Sequence, residues 1–332
     1  MYDQIRLTSP YPFNSDKERE YFCQRFGLFN QNYNKGIYNN SGYKDLSQNM
    51  GMYMKLEDPS NNQRGKLTLS VSLHKLYNFH TGIGYQNYND FDFFQANKTR
   101  KLLVQMFPML DMSKIRVNEY EIGINVIASK SPELYFTELK GIENKGILKR
   151  IIEDRRIKEY HMYGTNASDR TRSVYVFYNK TAESKNCKYK NVPNNLIRIE
   201  KKNKRIENLY FDHLFDSFFQ KEILKKLENE FVEYLSYKEY PKPNTGFRKN
   251  DFDLMELISE NGQGEAINEI KNQLKTNLIS KQTYYNRLKR IDELEKFPIS
   301  SYFEISESAR ELKFLIAKKI NELSQKSVRF SS

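Results

Sequence analysis

Two stretches of alternating side chains, SVYVFYN at 173–179 and NLIRIEKKN at 195–203, do most to limit what this chain can fold into. In the first, Val174, Val176 and Tyr178 share one side and Tyr175 and Phe177 the other; in the second, Arg198, Glu200 and Lys202 oppose Ile197 and Ile199. A period of two is the mark of a β-strand, because successive side chains leave the pleat in opposite directions. The second strand sets a carboxylate among cations on one face. Tyr178 falls at the end of the first, followed at once by Asn179 and Lys180.

Further strands are expected at 4–8, 52–56, 66–73 and 114–126. In the last of these Val117, Glu119, Glu121, Gly123 and Asn125 share one face, opposite Tyr120, Ile122 and Ile124. Two acids on a strand whose other face is apolar call either for solvent or for a compensating cation, and a divalent metal is one such cation. Helices are expected at 14–29, where Ser15 and Glu18 have capping-box spacing, at 90–107, ended by Pro108, and at 131–156, broken around Gly141 and Gly146. The last would be a crossover returning the chain to the same sheet near Tyr160.

Beyond Arg205 the spacing becomes helical over 208–237, with a linker at 240–246. Helices at 265–274 and 280–294, joined by 275–279, have spacing compatible with a helix-turn-helix. Ser280 would cap the second, whose Tyr284, Arg287 and Arg290 are candidate DNA contacts. A final helix at 306–323 is expected to pack through Leu312, Leu315, Ile316 and Ile320. The expected fold is α+β: an antiparallel-sheet domain at 1–207, then a smaller helical region at 208–332.

The formal charge of +12, from 54 Lys and Arg against 42 Asp and Glu, suits a polyanionic partner, and nucleic acid fits better than a membrane because no amphipathic basic helix dominates. Cys23 and Cys187 have no metal-ligand spacing, and so few thiols in a long chain point to a reducing compartment. No apolar run approaches the length of a membrane span and no leader pattern opens the sequence, so a cytoplasmic protein is expected.

The segments YGTNASDRTRSVYVFYNKTAE and NLIRIEKKNKR resemble paired motifs of rolling-circle replication initiators of the staphylococcal plasmid type, and more loosely of filamentous-phage initiators. SLHKLYNFHTGIGYQNYNDFDF resembles a further block of the phage and plasmid group. The resemblance covers roughly 1–207 and implies a nicking domain of the HUH or Rep-like kind that binds double- and single-stranded origin DNA. It would cut one strand with Tyr178, assisted by Lys180, through a covalent 5′-phosphotyrosine. The implied cofactor is Mg²⁺ or Mn²⁺, held by Glu121 and Glu200, where the family has Asp at the position of Glu121, and by His74, which could equally be a phosphate or backbone contact. The implied DNA contacts in this region are Lys75, Arg170, Arg172, Arg198 and Lys202. His74 and His80 lack the His-hydrophobic-His spacing of many nicking enzymes. Implied partners are a host helicase and polymerase in a bacterial cytoplasm, with the chain a monomer or homodimer. A non-catalytic DNA-binding regulator and a conjugative relaxase are the other readings of the same residues.

Overall fold

The computed structural model describes residues 2–32, 36–40, 50–60, 64–143, 146–151, 162–164, 173–189, 191–242, 246–294 and 302–328. In chain order the elements are β1 (Tyr2–Pro10), α1 (Asp16–Phe26), β2 (Phe29–Asn32), β3 (Ile37–Asn39), β4 (Met52–Glu57), β5 (Lys66–Ser72), α2 (Leu73–His80), α3 (Phe93–Met106) and β6 (Arg116–Ile127). There follow α4 (Pro132–Phe136), β7 (Leu139–Ile142), β8 (Gly146–Ile147), β9 (Lys149–Ile151), β10 (Met162–Gly164), β11 (Ser173–Asn179), α5 (Lys180–Asn186) and β12 (Leu196–Asn203). The rest comprises α6 (Ser217–Glu228), β13 (Leu235–Tyr237), β14 (Glu239–Pro241), α7 (Lys249–Lys275), α8 (Lys281–Leu294), β15 (Phe303–Ile305) and α9 (Glu307–Val328).

Ten described strands form one antiparallel sheet in the order β2, β3, β4, β5, β1, β6, β12, β11, β10, β9, so the fold is mixed α+β. The two alternating stretches, 173–179 and 195–203, carry β11 and β12, paired to each other, with β12 also paired to β6. Ile122, Ile124, Ile197, Ile199, Tyr175 and Phe177 make one face of this centre and are all buried. That face is covered by the chain after β12. Phe231 packs edge-on against Tyr175 and Phe177, Phe215 against Tyr2, and the Tyr2 hydroxyl donates to the Leu214 carbonyl at 2.6 Å. A fully buried ring of this kind contributes roughly 1.5–3 kcal/mol, so this covering layer is a main source of the fold's stability.

The chain divides into one unit of Met1–Ser236 with Glu311–Ser332, and another of Tyr237–Arg310. The boundary expected after residue 207 therefore falls inside the first unit, because α6 and the turns around it supply the cover of the sheet. Most of α9 also belongs there: Glu311 accepts from the Tyr135 hydroxyl at 2.7 Å and Lys319 pairs with Asp90 at 2.6 Å. In the second unit α7 and α8 close over Leu254, Met255, Ala266, Ile270, Ile291 and Leu294, and α7 kinks at Gly262, whose φ is 79°.

The helix expected over 131–156 is a correction. After the short α4 the chain turns into β7 and β8, which pair at Gly141 with Ile147 and at Ile142 with Gly146. Each glycine costs a helix about 1 kcal/mol, so the two that were read as interruptions instead favour extended chain. β9 and β11 each pair antiparallel with β10, which removes the need for a crossover helix. Residues 152–161 of that expected helix and its sequel lie outside the described residues. Among the described residues no helix is long and apolar enough to cross a membrane.

Candidate catalytic centre

Strand register assembles the polar face of the sheet into rows. Tyr178 lies opposite Arg198 and Arg198 opposite Asn125; Glu200 lies between Val176 and Gly123; Lys202 lies between Val174 and Glu121. β1 adds a third acid. Its register against β6 shifts between Tyr2 and Ile5, an irregularity that keeps both of those side chains buried and leaves Asp3 on the polar side. Carboxylate oxygens of Asp3, Glu121 and Glu200 lie within 4.8 Å of one another.

Two cations answer the three carboxylates. The Arg198 guanidinium, 3% exposed, donates to Asp3 Oδ2 at 2.7 Å, Glu200 Oε1 at 3.1 Å and Asn125 Oδ1 at 3.1 Å. It lies flat on Gly123, where a Cβ would stand 2.4 Å from Nη2, so a side chain there would displace the guanidinium from its carboxylates. Lys202 Nζ reaches Glu121 at 3.1 Å and Glu200 at 3.4 Å, and its side chain, 37% exposed, is the most open of the five. Burial would raise the Glu200 carboxyl, but Lys202 and Arg198 hold it below the usual range. Burial would likewise raise Asp3, which Arg198 pulls well down. Glu121 goes the other way: burial, then the negative charge of Glu200, push it up to about 8. One acid of the three therefore holds a proton at neutral pH, the response expected where carboxylates outnumber cations. A cavity of about 110 Å³, lined by Gln4, Arg6, Ser70, Glu119, Glu121 and Lys202 among others, opens beside this end of the cluster.

Tyr178 completes the centre. Its hydroxyl donates to Glu200 Oε1 at 2.8 Å, and burial together with the Glu200 charge raises the phenol well above its ordinary value. Lys180 starts α5, with its side chain 1% exposed, its ammonium 5.7 Å from the Tyr178 ring centroid, and bonds to Asn87 Oδ1 and Glu183 Oε2 at 2.8 Å each. Asn87 in turn donates to Asp3 Oδ2 at 3.2 Å. The lysine thus steadies the ring and the cover of the site, not the hydroxyl itself.

The other expected site residues separate. His74 is buried outside the carboxylate trio, stacked on Phe91 at 4.7 Å with Nε2 against Asn89 Oδ1 at 2.8 Å, and Asp3 stands in the trio in its place. Arg198 is an internal counter-ion rather than a surface contact for DNA. Lys201, beside Lys202 on β12, points to the apolar face and pairs with Glu230 at 2.6 Å. Lys75 is partly exposed on α2. Arg170 and Arg172 lie outside the described residues. In the second unit Tyr284 packs against the core, Arg287 donates to Gln273 at 2.8 Å, and Arg290 is bidentate on Asp251 and also bonds Glu293.

Burial lowers His74 from 6.5 to about 3, so the folded protein keeps the ring neutral where the unfolded chain would protonate it. A depressed histidine loses stability as pH falls below the unfolded value, at up to ~1.4 kcal/mol per pH unit. His74→Gln is expected to shift the slope of the urea-unfolding free energy between about pH 6.5 and 5 by up to ~1.4 kcal/mol per unit toward greater stability at low pH; the Glu121 proton, held in the folded protein across this window, contributes an opposite slope common to parent and variant. An unchanged slope in that variant contradicts the assignment.

No family model matches this chain, and no curated protein matches it in sequence.

Proposed function

We propose that this chain is a metal-dependent DNA-nicking transesterase of the rolling-circle initiator type. The observation that supports this best is the meeting of Asp3, Glu121 and Glu200 beside the hydroxyl of Tyr178. A set of hard carboxylate oxygens with an excess of negative charge fits Mg²⁺ or Mn²⁺, and the proton that Glu121 retains is one that a divalent cation displaces. Asp3, Glu121 and Glu200 would hold the ion, with the partly exposed Lys202 ammonium giving way. When bound, the ion would polarise a phosphate oxygen and lower the barrier to attack. Tyr178 Oη attacks phosphorus, its proton passes to Glu200, the bond to the 3′ oxygen breaks, and that oxygen takes up a proton from water to leave a 3′ hydroxyl. The enzyme keeps the 5′ phosphate on Tyr178. Arg198 fixes Glu200 and Asp3 so that the phenol keeps one orientation.

On this reading the substrates are duplex and single-stranded origin DNA, a host helicase and polymerase extend the freed 3′ end, and the α7–α8 pair of the second unit contributes duplex recognition. Incubating the protein with a supercoiled plasmid that carries the DNA flanking its coding sequence is the direct assay. Open circles should form with Mn²⁺ and not with EDTA; supercoils that persist under both conditions contradict the proposal.

The proton on Glu121 gives a second check. Because it must leave before the carboxylate can bind an ion, Mn²⁺ affinity should tighten by up to about tenfold per unit from pH 6 to 8 and level off above. Titration calorimetry should register the released proton as a buffer-dependent enthalpy. Glu121→Gln should weaken binding and remove the pH dependence, and an affinity flat with pH in the parent contradicts this ligand set.

A non-catalytic DNA-binding regulator is favoured by two observations: Tyr178 is only 7% exposed, and the acids already have two cations of the chain's own.

A further inference from the structure

A larger cavity of about 460 Å³ lies on the first unit next to the centre, at the opposite end of the polar rows from the Glu121 mouth. Its position follows from register. Asn125 and Arg198 form the last polar row, and the row beyond it, Ile127 opposite Leu196, is apolar and forms the cavity floor. Two residues of strand separate that floor from the Tyr178 row by about 7 Å, at ~3.3 Å per residue. Tyr88 and Pro193 supply further walls, and α9 closes the remaining side with Leu315, Lys318 and Lys319.

Two features ask for an explanation. Ile127 is 59% exposed inside this concavity, a large apolar side chain presented to solvent beside the most polar cluster of the fold. The segment bearing Tyr88 is also tied to the centre and to α9: Asn125 Nδ2 donates to the Tyr88 carbonyl at 2.8 Å, and Lys319 pairs with Asp90 at 2.6 Å. The same asparagine accepts from Arg198, so one side chain joins the cavity wall to the guanidinium that orients Glu200. Lys319 answers the two acids of the lining, Asp90 and Glu322, which leaves apolar walls, an aromatic ring and the exposed Lys318 at the rim, the combination that takes a base by stacking and its phosphate by charge. The volume is in the range of pockets that enclose a small ligand.

We propose that this cavity is a nucleobase subsite, receiving an unpaired base of the single strand next to the phosphate that Tyr178 attacks. The inference rests on the nicking reading and adds to it the place where the strand is gripped. The base packs between Ile127 and Leu315 near Tyr88, and its 5′ or 3′ phosphate passes Lys318. Seating a base there holds the adjoining phosphodiester over the Arg198 row.

The test uses the full chain and two fluorescein-labelled single strands, a thymidine 12-mer and a 12-mer of abasic deoxyribose phosphates, read by anisotropy. The parent should bind the thymidine strand about tenfold more tightly than the abasic one. Leu315→Trp, which fills the cavity from α9, should bring the thymidine strand to the abasic affinity while leaving the abasic affinity unchanged; Leu315→Met should behave as the parent. Ile127→Trp fills the same space from the sheet and should give the same pattern, so a folding defect in one variant does not decide the result. Equal binding of the thymidine strand by the parent and both Trp variants, in a protein that still nicks plasmid, overturns the subsite and leaves the nicking reading in place. A parent that binds neither strand and does not nick overturns both.

Discussion

Tyr178→Phe is expected to reduce metal-dependent nicking of the flanking-DNA plasmid by at least about 10³-fold while leaving DNA binding within a few-fold of the parent. The expectation follows from what the hydroxyl does. It is the donor to Glu200 Oε1 at 2.8 Å, and removing it leaves Arg198 and Lys202 still paired with that carboxylate. The ring itself stays in the small apolar cluster with Val174 and Val176, so the fold should lose only about 1–2 kcal/mol. Circular dichroism and the thermal midpoint therefore separate a lost nucleophile from a lost structure. Full nicking by a folded Phe variant assigns the chemistry elsewhere. Tyr175, the next tyrosine on the strand, is then the next candidate; it is buried on the opposite face and donates to Glu230 at 3.0 Å, and burial, then the Glu230 charge, raise its phenol as burial raises that of Tyr178.

Arg198→Met should produce the largest loss of stability, roughly 3–5 kcal/mol, because it leaves Asp3 and Glu200 buried without their shared counter-ion. For a unit of this size that corresponds to a fall of about 10 °C in thermal midpoint. The sign of its pH dependence is fixed. In the parent the depressed Asp3 and Glu200 contribute stability above their unfolded values of 3.8 and 4.5, and that contribution is lost as pH falls through their folded values. Without Arg198 the burial of Asp3 is opposed far less and Glu200 keeps Lys202 as its main counter-ion, so both carboxyls move up and the deficit is greatest at neutral pH. The gap between variant and parent should therefore narrow in urea unfolding below about pH 4. A deficit that stays constant from pH 7 down to pH 3 means that the guanidinium serves packing over Gly123 and not charge compensation.

Much of the sheet was legible in the chain because alternation is a local property. β6, β11 and β12 announce their faces residue by residue, and Glu121, Gly123, Asn125, Arg198, Glu200, Lys202 and Tyr178 come together once those faces are laid in register. Asp3 was not legible for a definite reason. The irregularity in β1 sets the buried Tyr2 and Ile5 three positions apart, so the period-two rule assigns Asp3 no consistent side. Lys201 shows the opposite difficulty. It is in phase with Ile197 and Ile199, yet sits in a run of cations that reads as a solvated edge, and its partner Glu230 is 29 residues away in a π-turn. His74 had the residue type of a ligand, but its environment, a ring stack and an amide, comes from a loop after the helix that bears it. Arg290 is similar: the basic face of α8 was visible, while Asp251, which occupies its guanidinium, is 39 residues upstream.

The claim that Tyr178 forms a bond to DNA can be measured at the residue. After incubation with the plasmid and Mn²⁺, nuclease trimming and trypsin, the chain should release the peptide SVYVFYNK, 173–180, carrying a nucleotide phosphate. Fragmentation of that peptide distinguishes its two tyrosines. The account predicts the added mass on Tyr178, present with Mn²⁺ and absent with EDTA; an adduct on Tyr175 or on any other peptide, or nicked plasmid with no protein adduct, contradicts it.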